Sequence, residues 1–119
     1  MKKHSGLRPR QVFGLVSKEG KRLSNPLFIF RYLNLSPGLT PRDPRRHFSV
    51  AVSSKIVPKA TLRNLLKRRV RAVVSQSREK LKNNYCGIFY IKSGALKVSF
   101  KELKESVLET LERATIIKR

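Results

Sequence analysis

Tryptophan is absent from this sequence, cysteine occurs once and histidine only twice. A lone Cys86 excludes an internal disulfide and any metal site built from several thiolates, and it reads as a small strand residue in a reducing compartment. With His4 and His47 far apart, no zinc constellation can be assembled. No apolar run approaches bilayer length, and Met1-Lys2-Lys3-His4 leads into no signal-peptide core, so a soluble, cytoplasmic protein without membrane partners is expected. Acids are scarce as well. Seven Asp and Glu stand against 28 Lys and Arg, a formal charge of +21.

That imbalance is the dominant feature of what is present. A chain so far from neutral repels itself until a polyanion neutralises it, which points to nucleic acid or an anionic membrane surface. Its 119 residues suit one RNA-binding domain, 1–119, and the 39% hydrophobic content supports a modest core. No internal repeat or low-complexity segment interrupts it.

Pro9 to Glu19 reads as a helix, with proline in the first turn, Gly20 just past the end, and Val12, Phe13 and Val16 on one face. From Pro26 to Leu35 the period changes to two. Leu27, Ile29, Leu33 and Leu35 point one way, interrupted by Arg31, while Phe28, Phe30, Tyr32 and Asn34 point the other. Pro37, Gly38, Pro41 and Pro44 make residues 36–46 a loop, whose Arg42, Arg45 and Arg46 face solvent or phosphate. A second strand spans Phe48 to Ser53, with a short extension at Ile56-Val57. A long helix runs from Thr61 to Lys82, ended by Asn83-Asn84, and Cys86 to Lys92 is a buried strand. After a turn at Ser93-Gly94, Ser99 caps a last helix from Phe100 to Ile117, with Glu102 at the capping-box spacing. Phe100, Leu103, Val107, Leu111 and Ala114 form its apolar stripe. The order helix, strands, helix, strand, helix describes an α+β sandwich, one sheet with helices packed on it.

On the long helix, Leu62, Leu65, Leu66, Val70 and Val73 share one side, and Arg63, Asn64, Lys67, Arg68, Arg71 and Arg78 the other. Only Arg69 falls on the apolar side, where its stem can lie along the core edge. Lysines and arginines at such spacings repel by a few tenths of a kcal/mol per pair, and a solvated helix normally intersperses glutamates. Glu79 is the first acid here. An anionic partner that relieves the repulsion is therefore preferred over a merely solvated face. Arginine suits that partner, because its planar fork bonds two phosphate oxygens or a base edge. Asn64 either bonds a base or a 2′-hydroxyl or caps the first turn.

Four of the acids, Glu102, Glu105, Glu109 and Glu112, lie on the last helix, which turns it away from RNA. Interleaved with Lys101, Lys104 and Arg113, they read as a solvated face rather than a nuclease-like metal row. The aromatics Phe13, Phe30, Tyr32, Phe48, Phe89 and Tyr90 are either core or stacking platforms for unpaired bases, with Lys55, Lys59 and Lys92 near enough in sequence to line a groove.

The segment Phe48-Ser49-Val50-Ala51-Val52-Ser53-Ser54-Lys55, followed by Ala60-Thr61-Leu62-Arg63-Asn64-Leu65-Leu66-Lys67-Arg68-Arg69-Val70-Arg71, resembles the signature of the bacterial ribonuclease P protein family. Phe13-x-x-Val16-x-x-x-Gly20-Lys21-Arg22 is similar to its first helix and turn, and Gly87 to Lys92 with Leu96-x-x-Ser99-Phe100-x-Glu102-Leu103 to its last strand and helix. The resemblance implies a ribosomal protein S5 domain 2-like sandwich with a left-handed βαβ crossover. It also implies a protein subunit of a ribonucleoprotein endoribonuclease that matures the 5′ end of tRNA, in which a catalytic RNA carries the chemistry with Mg2+ held mainly by RNA. The implied partners are that RNA and precursor tRNA, with no obligate protein partner and no catalytic residue or metal site in the protein. Arg63, Asn64, Lys67, Arg68 and Arg71 match the RNA-binding motif. Phe13 and Lys55 match the cleft for the 5′ leader, to which Phe30 and Tyr32 are added as flanking aromatics. Three positions depart from the pattern: Leu65 replaces the motif's second arginine, Ser17 a second aromatic of the first helix, and Arg31 a strand aromatic. The rival readings are a small basic ribosomal RNA-binding protein of similar fold and a protein-only nuclease using the last helix.

Overall fold

A computed structural model describes residues 9–35, 48–77, 80, 85–114 and 116. The elements are α1 (Pro9–Glu19), β1 (Lys21–Ser24), β2 (Phe28–Asn34), β3 (Phe48–Ala51), α2 (Ala60–Gln76), β4 (Tyr85–Ile91), a 3-10 turn (Ser93–Lys97) and α3 (Phe100–Arg113). They form a mixed α+β fold whose sheet has the strand order β1-β2-β4-β3. β1 and β4 run antiparallel to β2, and β3 runs parallel to β4, so α2 belongs to a crossover between adjacent parallel strands.

The period-two pattern of β2 sorts its side chains onto the two faces. Phe28 and Phe30 are completely buried with Phe89, Val50, Leu66, Val70, Leu103, Val107 and Leu111, in the core that α2 and α3 close over the sheet. Phe30 stacks on Phe89 with centroids 4.4 Å apart, and Phe28 meets Phe89 edge-on at 5.2 Å. Each buried Phe contributes about 1.5–3 kcal/mol, so this face carries most of the stability. Gly87 is required there, because a Cβ would lie 2.5 Å from the Phe30 ring. The other face holds a smaller cluster of Val16, Leu35, Cys86 and Ile88 beneath α1.

α1 has the expected bounds. Gly20 N donates to the Val16 carbonyl at 2.9 Å, and a Cβ there would stand 2.5 Å from that same oxygen, so close approach requires this glycine. Ser99 caps α3 as expected, its hydroxyl accepting from Glu102 N at 3.2 Å.

Several elements differ from expectation. β1 was not foreseen, because only Leu23 of its four residues is apolar and its pairing with β2 supplies the order. α2 starts at Ala60 and ends at Gln76 rather than Lys82; the Ser77 hydroxyl turns back to the Val73 carbonyl at 3.1 Å, and Ser77 N donates there too. Ile56-Val57 does not extend the strand: both amides donate to Ser53 O, closing a turn, and β3 stops at Ala51. α3 ends at Arg113 on an Ala114 C-cap. The loop 36–46, Arg78 and the Asn83-Asn84 stop lie outside the described residues.

Candidate nucleic-acid interface

Leu66, Val70 and Val73 anchor α2 in the core, which fixes the opposite side toward solvent. On that side Thr61, Asn64, Lys67, Arg68 and Arg71 line one shallow groove. Four of the five expected motif residues thus share a single surface, at positions i, i+3, i+4 and i+7, the spacing of one helix face. Asn64 is exposed in that groove, and the N-cap is Lys59 without a side-chain cap, so Asn64 does not cap the helix.

The fifth residue is placed differently. Arg63 is half-buried, and its Nη1 donates to the carbonyls of Val57 at 2.9 Å and Pro58 at 2.7 Å. It ties the first turn of α2 to the loop arriving from β3, and that loop also carries the exposed Lys55, whose backbone N donates to Ser53 Oγ. Arg69 lies over the Phe100 ring, 5.6 Å from its centroid, as its place on the apolar side requires. Leu65 is half-buried at the border of the two sides.

A second surface lies on the α1 face of the sheet. α1 is too short to cover it, and half-buried Ile29, Arg31, Ser49, Ala51 and Tyr90 remain beside the helix. Phe13, 44% exposed, meets Tyr90 edge-on with centroids 6.5 Å apart. The Ser17 hydroxyl and the Tyr90 hydroxyl are hydrogen-bonded at 3.0 Å, and Arg31 Nη1 donates to the Ser17 carbonyl at 3.3 Å. Two departures from the family pattern, Ser17 and Arg31, therefore join Tyr90 in one polar cluster.

The expected cleft residues do not all come together, and this corrects the reading of β2. Phe30 is fully buried on the opposite face, where no base can reach it, and Tyr32 stacks on Phe30 at 5.4 Å on that same face. Neither shares a surface with Phe13. Phe48 and Phe89 are also buried in that core, which leaves Tyr90 as the strand aromatic beside Phe13. The alternation separates the two sets: Arg31 and Tyr90 lie on the α1 face, Tyr90 between Ile29 and Ala51 and Arg31 between Arg22 and Ile88, whereas Phe28 and Phe30 point to the face that α2 and α3 fill.

Glu102, Glu105, Glu109 and Glu112 are exposed along α3. Among the described residues no group of three His, Cys, Asp or Glu side chains stands close enough to hold a metal ion. Burial pushes the Cys86 thiol up to about 12, so it is an uncharged core group and not a nucleophile. No helix among the described residues is long and apolar enough to cross a membrane.

A sheet clothed unequally by helices, an unrelieved cationic helix face and an exposed aromatic beside the half-covered sheet face define an RNA-binding α+β protein. The ribonuclease P family profile matches residues 1–115. The chain is similar to the ribonuclease P protein component of Synechococcus elongatus (30% identity, covering 93% of this chain and 90% of the relative) and to that of Microcystis aeruginosa (31%, 93% and 91%). The solved ribonuclease P protein of Thermotoga maritima superposes with a TM-score of 0.72 at 28% identity, covering 92% of this chain and 97% of that one. The Staphylococcus aureus protein shares the fold, with a TM-score of 0.76 at 20% identity, covering 98% and 100%. The chain belongs to the ribonuclease P protein family. It is thereby part of an RNA-processing endoribonuclease associated with an RNA subunit, and the ribosomal alternative is not favoured.

Proposed function

We propose that the basic face of α2 docks the catalytic RNA subunit, while the groove between α1 and the sheet holds the single-stranded 5′ leader of precursor tRNA. The observation that carries this reading is the convergence of Asn64, Lys67, Arg68 and Arg71 on one groove of a helix with no acid in its first turn. Four cationic and amide groups on a rigid helix supply charge and hydrogen bonds without rearrangement, so their repulsion in the free protein becomes attraction in the complex. Arg63 supports that face from behind by bracing the β3–α2 loop and, with it, Lys55.

In the groove, Phe13 offers an exposed ring on which an unpaired base stacks, an interaction worth about 1–3 kcal/mol. Tyr90, steadied by Ser17, forms the wall against which that ring is set. The chemistry is assigned to the RNA, with magnesium bound there, and the protein acts by screening repulsion between the two RNAs and by fixing the leader. The whole chain acts as one RNA-binding domain in the cytoplasm.

The test is reconstitution with a ribonuclease P RNA at limiting magnesium, assaying 5′ processing of precursor tRNA. Wild-type protein should restore cleavage, the protein without RNA should give none, and an Arg68→Ala, Arg71→Ala variant should need markedly more magnesium. Processing restored equally by the variant would contradict the docking face.

A further inference from the structure

β1 and β2 place two arginines side by side. Arg22 pairs with Arg31 in the antiparallel register. Leu23 packs into the α2–α3 core, so the alternation of β1 turns Arg22 and Ser24 to the α1 face, the face from which Arg31 reaches the Ser17 carbonyl. Directly opposed like charges on one sheet face are destabilising. Among the described residues no carboxylate forms a hydrogen bond or ion pair with either guanidinium. Arg31 uses Nη1 on Ser17, which leaves its remaining N–H groups unused among the described residues. A third cation stands one step along the same row: Lys92 Nζ donates to Ser24 Oγ at 2.9 Å and to the Asn25 carbonyl at 2.8 Å, its ammonium held at the position two residues from Arg22.

We propose that Arg22 and Arg31 form a phosphate clamp, a second anion site separate from α2, which grips one phosphodiester of the leader strand as it leaves the Phe13–Tyr90 corner. The inference rests on the reading that this groove holds the leader. Two arginines paired on neighbouring strands can bring two planar forks of N–H donors to one tetrahedral phosphate, a bidentate chemistry that lysine, a point charge, does not offer. Arg31 is preorganised by its bond to Ser17, and Arg22 is exposed at the sheet edge and free to close over the anion. Lys92 adds charge on the same row without entering the clamp.

The test uses the full chain bound to ribonuclease P RNA and measures affinity for precursor tRNA with a leader and for mature tRNA without one. Leaders carrying a single uncharged methylphosphonate linkage at successive positions are measured as well. The Arg22→Ala, Arg31→Ala double variant should lose about tenfold or more in affinity for the leader-bearing RNA, with mature tRNA and catalytic RNA bound as by wild type. The salt slope for the leader should fall by about 0.7. One methylphosphonate position should weaken wild type yet leave the double variant indifferent. Arg22→Ala alone, at an exposed edge, keeps the fold and should show part of the loss; without RNA its Tm should rise by about 1–4 °C as the repulsion is relieved. Unchanged leader affinity in the double variant overturns the clamp while leaving the groove reading intact. An equal loss for catalytic RNA also overturns it, by assigning the pair to another contact. If wild type itself shows no preference for a leader, the groove reading fails first and the clamp with it.

Discussion

The two faces of the sheet are made by the same strands and do opposite things. On the α2–α3 face, Phe28 and Phe30 of β2 and Phe89 and Ile91 of β4 are buried, with Phe28 and Phe30 both packed on the Phe89 ring. On the α1 face the intervening residues are smaller or polar, covered by one short helix, and Arg31, Ser49 and Tyr90 stay half-buried. The comparison teaches that aromatic content alone does not mark a binding surface in a small protein. The face that two helices cover uses its rings for packing. The face that one helix half-covers leaves the Phe13 ring open to solvent beside Tyr90.

Truncation gives the largest expected separation between the faces. Phe30→Ala should destabilise by about 3–5 kcal/mol, read as a fall in Tm and in denaturant midpoint, with RNA affinity lost only as the fold is lost. Phe13→Ala should cost only about 1 kcal/mol, the worth of its edge-on contact with Tyr90, yet weaken binding of leader-bearing RNA. Equal destabilisation by the two variants would break the contrast. A smaller effect sharpens it from beneath α1. The folded Cys86 thiol titrates near 12 against an ordinary value of 9.0, so the folded chain holds that proton more tightly than the unfolded one. The resulting contribution is fully present below pH about 9 and is lost as pH rises through about 12. The Tm of wild type relative to Cys86→Ala should be constant up to pH 9 and decline above it; a constant difference through pH 11 would show that the thiol is not held in a dry site.

α1 with its bounds, the two faces of β2, the Ser99 cap and the basic side of α2 are legible in the sequence, because each depends on local periodicity or on a residue's own chemistry. β1 is not, since its Lys-Arg-Leu-Ser carries no apolar run and exists as a strand through pairing with β2. Nor is the end of α2, where the Ser77 hydroxyl competes for the Val73 carbonyl. The site divided along the same line. Asn64, Lys67, Arg68 and Arg71 were legible because one helix brings them together. Phe30 and Tyr32 were misplaced because period two says which residues share a face and does not say which face the helices will cover. Arg63 was legible as part of a motif, but its bonds to Val57 and Pro58 depend on the path of a loop.

The most direct measurement is the salt dependence of binding to ribonuclease P RNA, comparing wild type with Lys67→Ala, Arg68→Ala, Arg71→Ala. If the α2 groove grips phosphates, the plot of log K against log salt should be steep for wild type and shallower by about 2–3 in slope for the triple variant, whose Tm without RNA is equal or higher. Identical slopes for the two proteins would contradict it.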